Sequence, residues 1–96
     1  MPQFLILATD YKDEQALTRR LQVREVHLAR MRTEKEKAVF IFGGARLNAS
    51  GNMCGSMLVI ALPDISTVEQ WIEEDPYIKG KVWESVEILP FKTAAV

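Results

Sequence analysis

The only histidine of the chain, His27, lies in a segment with helical spacing that also carries two nearby arginines. Arg20 and Arg24 fall on the same side of this helix as His27. An imidazole can take or give a proton near neutral pH, and a guanidinium can bind an anionic group. The three residues therefore predict acid–base chemistry on an anionic molecule. The less specific interpretation is a histidine that is merely packed in the core or hydrated at the surface.

Arg24 falls in the middle of the apolar side of the same helix. Four apolar residues define that side, at steps of four, seven and three: Leu17, Leu21, Leu28 and Met31. A buried unpaired guanidinium is costly, so Arg24 either extends to solvent, pairs with a structural carboxylate, or serves as the cation of a binding pocket. We expect Arg24 to be mostly buried and paired with Asp10 or Asp75.

Four β-rich segments and two helical segments position these residues. The predicted strands are Phe4–Thr9, Ala38–Gly44, Ser56–Leu62 and Trp83–Phe91. The first helix is predicted from an N-cap at Asp13 to about Glu36, and the second opens with a capping box, Ser66 and Glu69. The order is β-α-β-β-α-β, which predicts an α+β, ferredoxin-like fold with both helices on one sheet face.

The other face of this sheet needs a cover. The first three predicted strands are apolar on both faces; in the first, Phe4, Ile6 and Ala8 alternate with Leu5 and Leu7. No segment of the chain remains to cover the second apolar face, so a second copy is the expected partner. Packing of sheet against sheet predicts a homodimer with a dimeric α+β barrel.

The composition limits the classes of function. The chain of 96 residues is predicted to be one domain, 1–96, with 48% hydrophobic residues. A net charge of −1 gives no basic surface for nucleic acid or an anionic membrane. A single cysteine, Cys54, allows no internal disulfide, and no metal cluster, phosphate loop or dinucleotide fingerprint occurs. No signal peptide or membrane span is recognisable, so we expect a cytoplasmic protein. Because these metal and cofactor motifs are missing from the sequence, we also expect no metal or organic cofactor.

Three short motifs, in their order and spacing, resemble the YCII-related (YciI-like) family. They are Arg24-x-x-His27-Leu28 on the first helix, Gly43-Gly44 at the end of the second strand, and Asp75-Pro76-Tyr77 before a final strand that ends in Pro90-Phe91. The resemblance extends from Phe4 to Lys92 and implies a ferredoxin-like fold, a dimeric α+β barrel and a pocket with an acid–base His–Asp pair. Ala45 departs from the pattern, because many members have proline after the glycines.

The resemblance also implies roles for individual residues. His27 would be the base and Asp75 its partner, while Arg24 and Asp10 match other recurrent polar positions. Together with Gly44 and Tyr77, Arg24 and Asp10 are the predicted substrate-binding residues. Taken alone, Asp75 followed by Pro76 is also an ordinary helix start with Asp75 as N-cap. We expect His27 and Asp75 to lie on one pocket, bonded directly or through one water.

Two functions remain open from the sequence. The first is a small enzyme that uses the His–Asp pair on a small, anionic molecule, with lyase, isomerase or dehydrohalogenase chemistry. A few members of the family are linked to the degradation of chlorinated aromatic compounds, so the resemblance implies a pocket but no particular substrate. The second is a non-catalytic module that binds a small ligand or assists a neighbouring enzyme. Only the enzyme requires His27 and a carboxylate within hydrogen-bond reach.

Overall fold

The computed structural model describes residues 1–96 as four strands and three helices. The strands are β1 (Gln3–Asp10), β2 (Phe40–Leu47), β3 (Met53–Ala61) and β4 (Trp83–Phe91), and the helices are α1 (Ala16–Glu36), α2 (Ile65–Glu73) and α3 (Pro76–Lys79). The strands form one antiparallel sheet in the order β2-β3-β1-β4. The chain is thus an α+β protein. None of its helices combines the length and apolar character that crossing a membrane requires.

The core lies between the helices and one face of the sheet. Alternate residues of the two central strands are buried there: Phe4, Ile6, Ala8, Leu58 and Ile60. The helices contribute Met31 from α1 and Val68, Trp71 and Ile72 from α2 to the same cluster.

The start of α1 differs from the prediction. The helix begins at Ala16, and the Gln15 side chain makes no capping hydrogen bond. The predicted cap, Asp13, instead binds Arg19, with both carboxylate oxygens 2.8 Å from guanidinium nitrogens. The Asp13 carboxylate also accepts the backbone N–H of Gln15 at 3.2 Å, so it stabilises a turn that precedes the helix.

The start of α2 also differs from the prediction. Asp64 is the N-cap, because its carboxylate accepts hydrogen bonds from the backbone N–H and the hydroxyl of Thr67 at 2.8 and 2.7 Å. The predicted capping box of Ser66 and Glu69 is therefore wrong. An Asp two residues earlier offers a charged acceptor to the free N–H groups of the first turn.

The hairpin between β2 and β3 is longer than predicted. Strand β2 continues to Leu47 and β3 begins at Met53, so the connecting turn is only Asn48–Asn52. The side-chain oxygen of Asn48 accepts the backbone N–H groups of Ser50 and Asn52, both at 3.0 Å. Gly51 takes a positive φ of 83°, which glycine adopts without steric cost. These contacts close the turn and let the strands pair further.

Helix α1 turns a largely polar side toward the sheet. Its buried residues are Ala16, Arg20, His27, Met31 and Glu34. Leu21, predicted to face inward, is 54% exposed, and Arg24 is only half-buried. At about 100° per residue, the buried side is rotated by roughly 80° from the predicted apolar stripe. His27 therefore lies in the middle of the buried side, and Arg24 at its edge.

This polar side is stable because each buried side chain has a partner, although one atom, Arg20 Nε, has no hydrogen bond. Arg20 binds Asp10, His27 binds Asp75, and Glu34 accepts the Trp71 indole N–H at 2.6 Å. Burial alone would raise the pKa of the Glu34 carboxyl, but hydrogen bonds from Trp71 and Lys37 lower the pKa below its ordinary value. These polar partners, rather than the apolar residues of α1, therefore determine which side of the helix faces the sheet.

The second face of the sheet carries no helix. Leu5 and Leu7 alternate with the core residues of β1 and are half-buried on this face. Their neighbours include Leu89, paired with Leu5, and Met57, paired with Leu7. Leu89 is 36% exposed and Phe42 of β2 is 42% exposed. The prediction of a second apolar face without a cover is confirmed for the single chain.

Candidate active site

A cavity of about 260 Å³ opens between α1, the β2–β3 hairpin and α3. Its polar wall includes Arg20, Arg24, His27, Ser56 and Tyr77. Its apolar wall includes Leu28, Met31, Phe40 and Leu58. An apolar cavity of about 150 Å³ can hold benzene, so this one has room for a single substituted ring.

His27 and Asp75 are in direct contact at this cavity. The imidazole Nδ1 lies 2.8 Å from Asp75 Oδ1, and both side chains are buried. This distance confirms the expected contact, predicted as direct or through one water, but only His27 lines the cavity, whereas Asp75 is fully buried. The contact joins α1 to the start of α3, across 48 residues of sequence.

Asp75 is surrounded by donors. Arg30 Nη1 lies 2.9 Å from Asp75 Oδ2, and the backbone N–H of Tyr77 donates to Oδ1 at 2.9 Å. Asp75 is therefore both the N-cap of α3 and the partner of His27, so the two interpretations of this residue hold together. Because this carboxylate acts as an acceptor on every side, the hydrogen bond assigns a proton to Nδ1 of His27.

The second nitrogen of His27 is free for chemistry. Nε2 has no hydrogen-bond partner in the protein. It is also not one of the fully buried side-chain atoms that lack a partner, so it is accessible. With the proton of the neutral ring on Nδ1, Nε2 carries a lone pair. Since His27 lines the cavity, this nitrogen is available to take a proton from a bound molecule.

Aromatic rings hold the imidazole in place. The Tyr77 ring stacks on His27 with centroids 4.0 Å apart and an angle of 14° between the planes. Trp83 meets both rings edge-on, at 5.8 Å from His27 and 5.5 Å from Tyr77. Burial raises the pKa of the Tyr77 phenol above its ordinary value, so the hydroxyl stays protonated at neutral pH and can donate.

A second buried pair lies beside this stack. Arg20 Nη1 is 2.9 Å from both oxygens of Asp10, and Arg20 Nη2 donates to Ser56 Oγ at 2.9 Å. The indole N–H of Trp83 donates to the same Oγ at 3.1 Å. Burial raises the pKa of the Asp10 carboxyl, and the charge and hydrogen bond of Arg20 oppose this rise.

Arg24 has no carboxylate partner. Asp10 is engaged by Arg20 and Asp75 by Arg30, so the predicted pairing of Arg24 with one of these carboxylates is wrong. Arg24 is half-buried on the cavity wall. Arg32 and Lys35 also line the cavity, whereas no aspartate or glutamate does. The cavity wall is therefore positively charged.

Of the other residues predicted to bind substrate, two line the cavity and one lies outside its wall. Gly44 and Tyr77 line the cavity, and a Cβ added at Gly44 would meet no atom within 4 Å. Asp10 is absent from the wall and lies against Arg20. Gly43 is required for strand pairing, because an added Cβ would lie 2.4 Å from the Met57 carbonyl oxygen.

Three contributors to the site were not predicted. Arg30 follows His27 by three residues and so shares its side of the helix, a spacing that could have identified it. Ser56 and Trp83 carry no such signal, because β3 and β4 bring them to Arg20 from distant parts of the chain. Only the sheet register shows their position.

Comparison with known proteins gives the family. The family model described as the YCII-related domain matches residues 3–92. The chain belongs to this family. The YCII-related domain is similar to protein YciI of Escherichia coli, with 28% identity over 95 residues that cover 93% of this chain and 95% of YciI. The family predicted from the sequence motifs is therefore confirmed.

Two solved structures resemble the YCII-related domain over nearly its whole length. The first is the 5-chloro-2-hydroxyhydroquinone dehydrochlorinase TftG of Burkholderia phenoliruptrix, in complex with 2,5-dihydroxybenzoquinone. Its TM-score is 0.80, with 27% identity and coverage of 96% of this chain and 95% of TftG. The second is protein Atu4242 of Agrobacterium tumefaciens, with a TM-score of 0.53, 12% identity and coverage of 98% and 94%. The likeness to Atu4242 concerns the fold alone.

Proposed function

We propose that this YCII-related domain is an acid–base enzyme acting on a small anionic molecule that contains one ring. The reaction class is that of a lyase, isomerase or dehydrohalogenase. The observation that carries the proposal is the His27 imidazole, whose Nδ1 is held by Asp75 while Nε2 is free at the cavity. The imidazole itself supplies the acid–base group, so the proposal needs no metal or organic cofactor.

In the proposed reaction, Nε2 of His27 takes a proton from an acidic hydroxyl or carbon of the substrate. Asp75 stabilises the positive charge that develops on the imidazole and keeps the ring oriented. Arg24 and Tyr77, both among the lining residues, stabilise the negative charge that develops on the substrate. The released electron pair then expels a leaving group or shifts a double bond.

The charge and size of the cavity support the substrate class. Arg24, Arg32 and Lys35 line the wall without a carboxylate among the lining residues, which favours an anion. The volume of about 260 Å³ suits one substituted ring. TftG, which has the same fold, removes hydrogen chloride from a one-ring compound, as its name states. We assign Asp10 a supporting role, since it holds Arg20 rather than facing the cavity.

The proposal is tested by a screen of small anionic ring compounds for binding and turnover, followed by His27→Ala. We expect the variant to bind with an unchanged Kd and to lose turnover by about 10²–10⁴-fold, the usual contribution of a general base. Calorimetry gives Kd, and absorbance gives the rate. Compounds that bind to the wild type without any turnover would instead support the non-catalytic ligand-binding module.

We further propose that the ferredoxin-like domain forms a homodimeric α+β barrel through its open sheet face. The exposed apolar residues of that face, Phe42, Leu89 and Phe91 among them, support this assembly. Light scattering at micromolar concentration should give twice the chain mass of 10.9 kDa. Leu5→Lys should give the monomer mass, because position 5 pairs with Val59 and Leu89 and an unpaired charge would be buried between the sheets.

The matched control for the dimer is Leu21→Lys. Leu21 is exposed on α1, away from the open face, and its replacement should leave the mass unchanged. A wild-type protein that scatters as a monomer would contradict the dimer.

A further inference from the structure

We propose that the hydroxyl of Ser56 donates a hydrogen bond to the bound molecule and selects a ligand with a carbonyl or oxyanion oxygen at this point. The inference rests on the proposed function, because it takes the cavity beside His27 as the ligand site. It adds Ser56 as a specificity-determining residue and narrows the substrate class.

The two hydrogen bonds to Ser56 Oγ determine whether the hydroxyl can donate or accept a further hydrogen bond. Arg20 Nη2 lies 2.9 Å and Trp83 Nε1 3.1 Å from Oγ. A guanidinium and an indole N–H can only donate, so Oγ accepts in both contacts. A hydroxyl has two lone pairs and one proton, and both lone pairs are now occupied. Ser56 can therefore act toward any further partner only as a donor.

No protein group accepts this proton. Ser56 takes part in only two side-chain hydrogen bonds, and in both it is the acceptor. The residue is 3% exposed and lines the cavity, so the remaining partner must come from within the cavity. A buried donor without an acceptor is costly, and a ligand oxygen placed here would remove that cost.

The neighbouring charge strengthens the donor. Arg20 Nη1 is bonded to both oxygens of Asp10, and Arg20 Nη2 donates directly to Oγ. A positive charge on the acceptor side polarises the hydroxyl, which makes its proton a better donor in a low-dielectric site. An oxyanion or a carbonyl oxygen benefits most from such a donor.

The rest of the polar wall points to the same ligand. Arg24, Arg32 and Lys35 carry only donors, and the Tyr77 phenol stays protonated. His27 Nε2 is the free side-chain acceptor on the wall. The matching molecule is a single ring that carries at least two unprotonated oxygens and one acidic proton, as a hydroxyquinone or a cyclic enol acid does.

The test compares two probes of equal size. The oxidised probe is 2,5-dihydroxybenzoquinone, and the reduced probe is 1,2,4,5-tetrahydroxybenzene, in which the two carbonyl oxygens become hydroxyls. Kd is measured anaerobically for wild type and Ser56→Ala. We expect the wild type to bind the quinone at least about tenfold more tightly, in part because the quinone is an anion and the wall is cationic, so the contribution of Ser56 is measured by the variant. Ser56→Ala should weaken quinone binding by about tenfold or more and tetrahydroxybenzene binding by less than about threefold.

The ligand pair separates a direct contact from a structural role. If Ser56 only supports the shape of the cavity, its replacement should weaken both probes equally, which would overturn the inference. The inference would also fail if the wild type bound neither probe or showed no preference. Ser56→Cys, whose thiol is a weak donor of similar size, should repeat the loss if Ser56→Ala does not fold. Turnover and its loss in His27→Ala are measured separately, so the proposed function can stand when this inference fails.

Discussion

Asp75→Asn is expected to lower turnover by about 10²–10⁴-fold while the protein stays folded. Asp75 supplies the negative charge that stabilises the imidazole of His27 once it has taken a proton. Asparagine has nearly the same shape and can still cap α3, so the main loss is this charge.

Neither orientation of the new amide can replace the carboxylate. If the amide oxygen faces His27 and the Tyr77 N–H, the NH₂ group meets the Arg30 guanidinium, where donor faces donor. If the amide is flipped, its NH₂ group faces Nδ1 of His27, which moves the imidazole proton to Nε2 and removes the base. In both cases the charged imidazole has no counter-charge, so proton transfer slows.

Rates and nitrogen-15 NMR of His27 test this prediction together. The rate should fall as stated, and the nitrogen shifts tell which of the two amide orientations is adopted. Glu34→Gln is the matched control, because Glu34 is also a buried carboxylate on a hydrogen bond but binds Trp71 and Lys37 rather than His27. Its turnover should stay within about twofold of the wild type. An Asp75→Asn variant with an undiminished rate would rule out the pair.

Arg20→Leu is expected to lower the free energy of unfolding by about 3–5 kcal/mol. The change leaves Asp10, which is 4% exposed, as a buried charge without its partner. It also removes a donor from Ser56 and the cation that lies 4.8 Å over the Tyr77 ring. Urea denaturation followed by tryptophan fluorescence measures the change.

Arg24→Leu is the matched substitution on the same helix. Arg24 has no ion-pair partner, so the free energy of unfolding should change by no more than about 0.5 kcal/mol. Binding of an anionic ring should weaken by about tenfold or more, because a wall cation that bonds the anion is lost. Similar destabilisation by the two variants would contradict the different roles assigned to Arg20 and Arg24.

The elements of the fold follow from local patterns, but the rotation of α1 does not. Strand β4 begins and ends where its alternation predicts, and the apolar runs of β1 and β3 mark the central strands. The stripe of leucines on α1, in contrast, predicts the wrong inward side. Leu21 is exposed, while Arg20 and Glu34 are buried. Hydrophobic spacing assumes that polar residues stay in water, and it cannot include partners that arrive from other elements.

The candidate site, like the fold, was predicted only in part from the sequence. His27 and Asp75 were identified because both belong to motifs that resemble those of the family. The predicted pairing of Arg24 with a carboxylate was wrong because Asp10 binds Arg20 and Asp75 binds Arg30. One sequence contains no information on which of several arginines is closest to a given carboxylate. That order depends on helix rotation and sheet register, which are set by the whole fold.

The double role of Asp75 has an evolutionary consequence. One oxygen of this carboxylate caps α3 and contacts His27, and the other binds Arg30. Functional residues usually reduce stability, and selection for stable variants tends to replace them. Here the same atom serves the backbone of α3 and the imidazole, so both selective pressures favour aspartate. A library selected only for folded protein should therefore retain Asp75 or replace it only by asparagine, which can also cap α3, although no substrate is present during the selection.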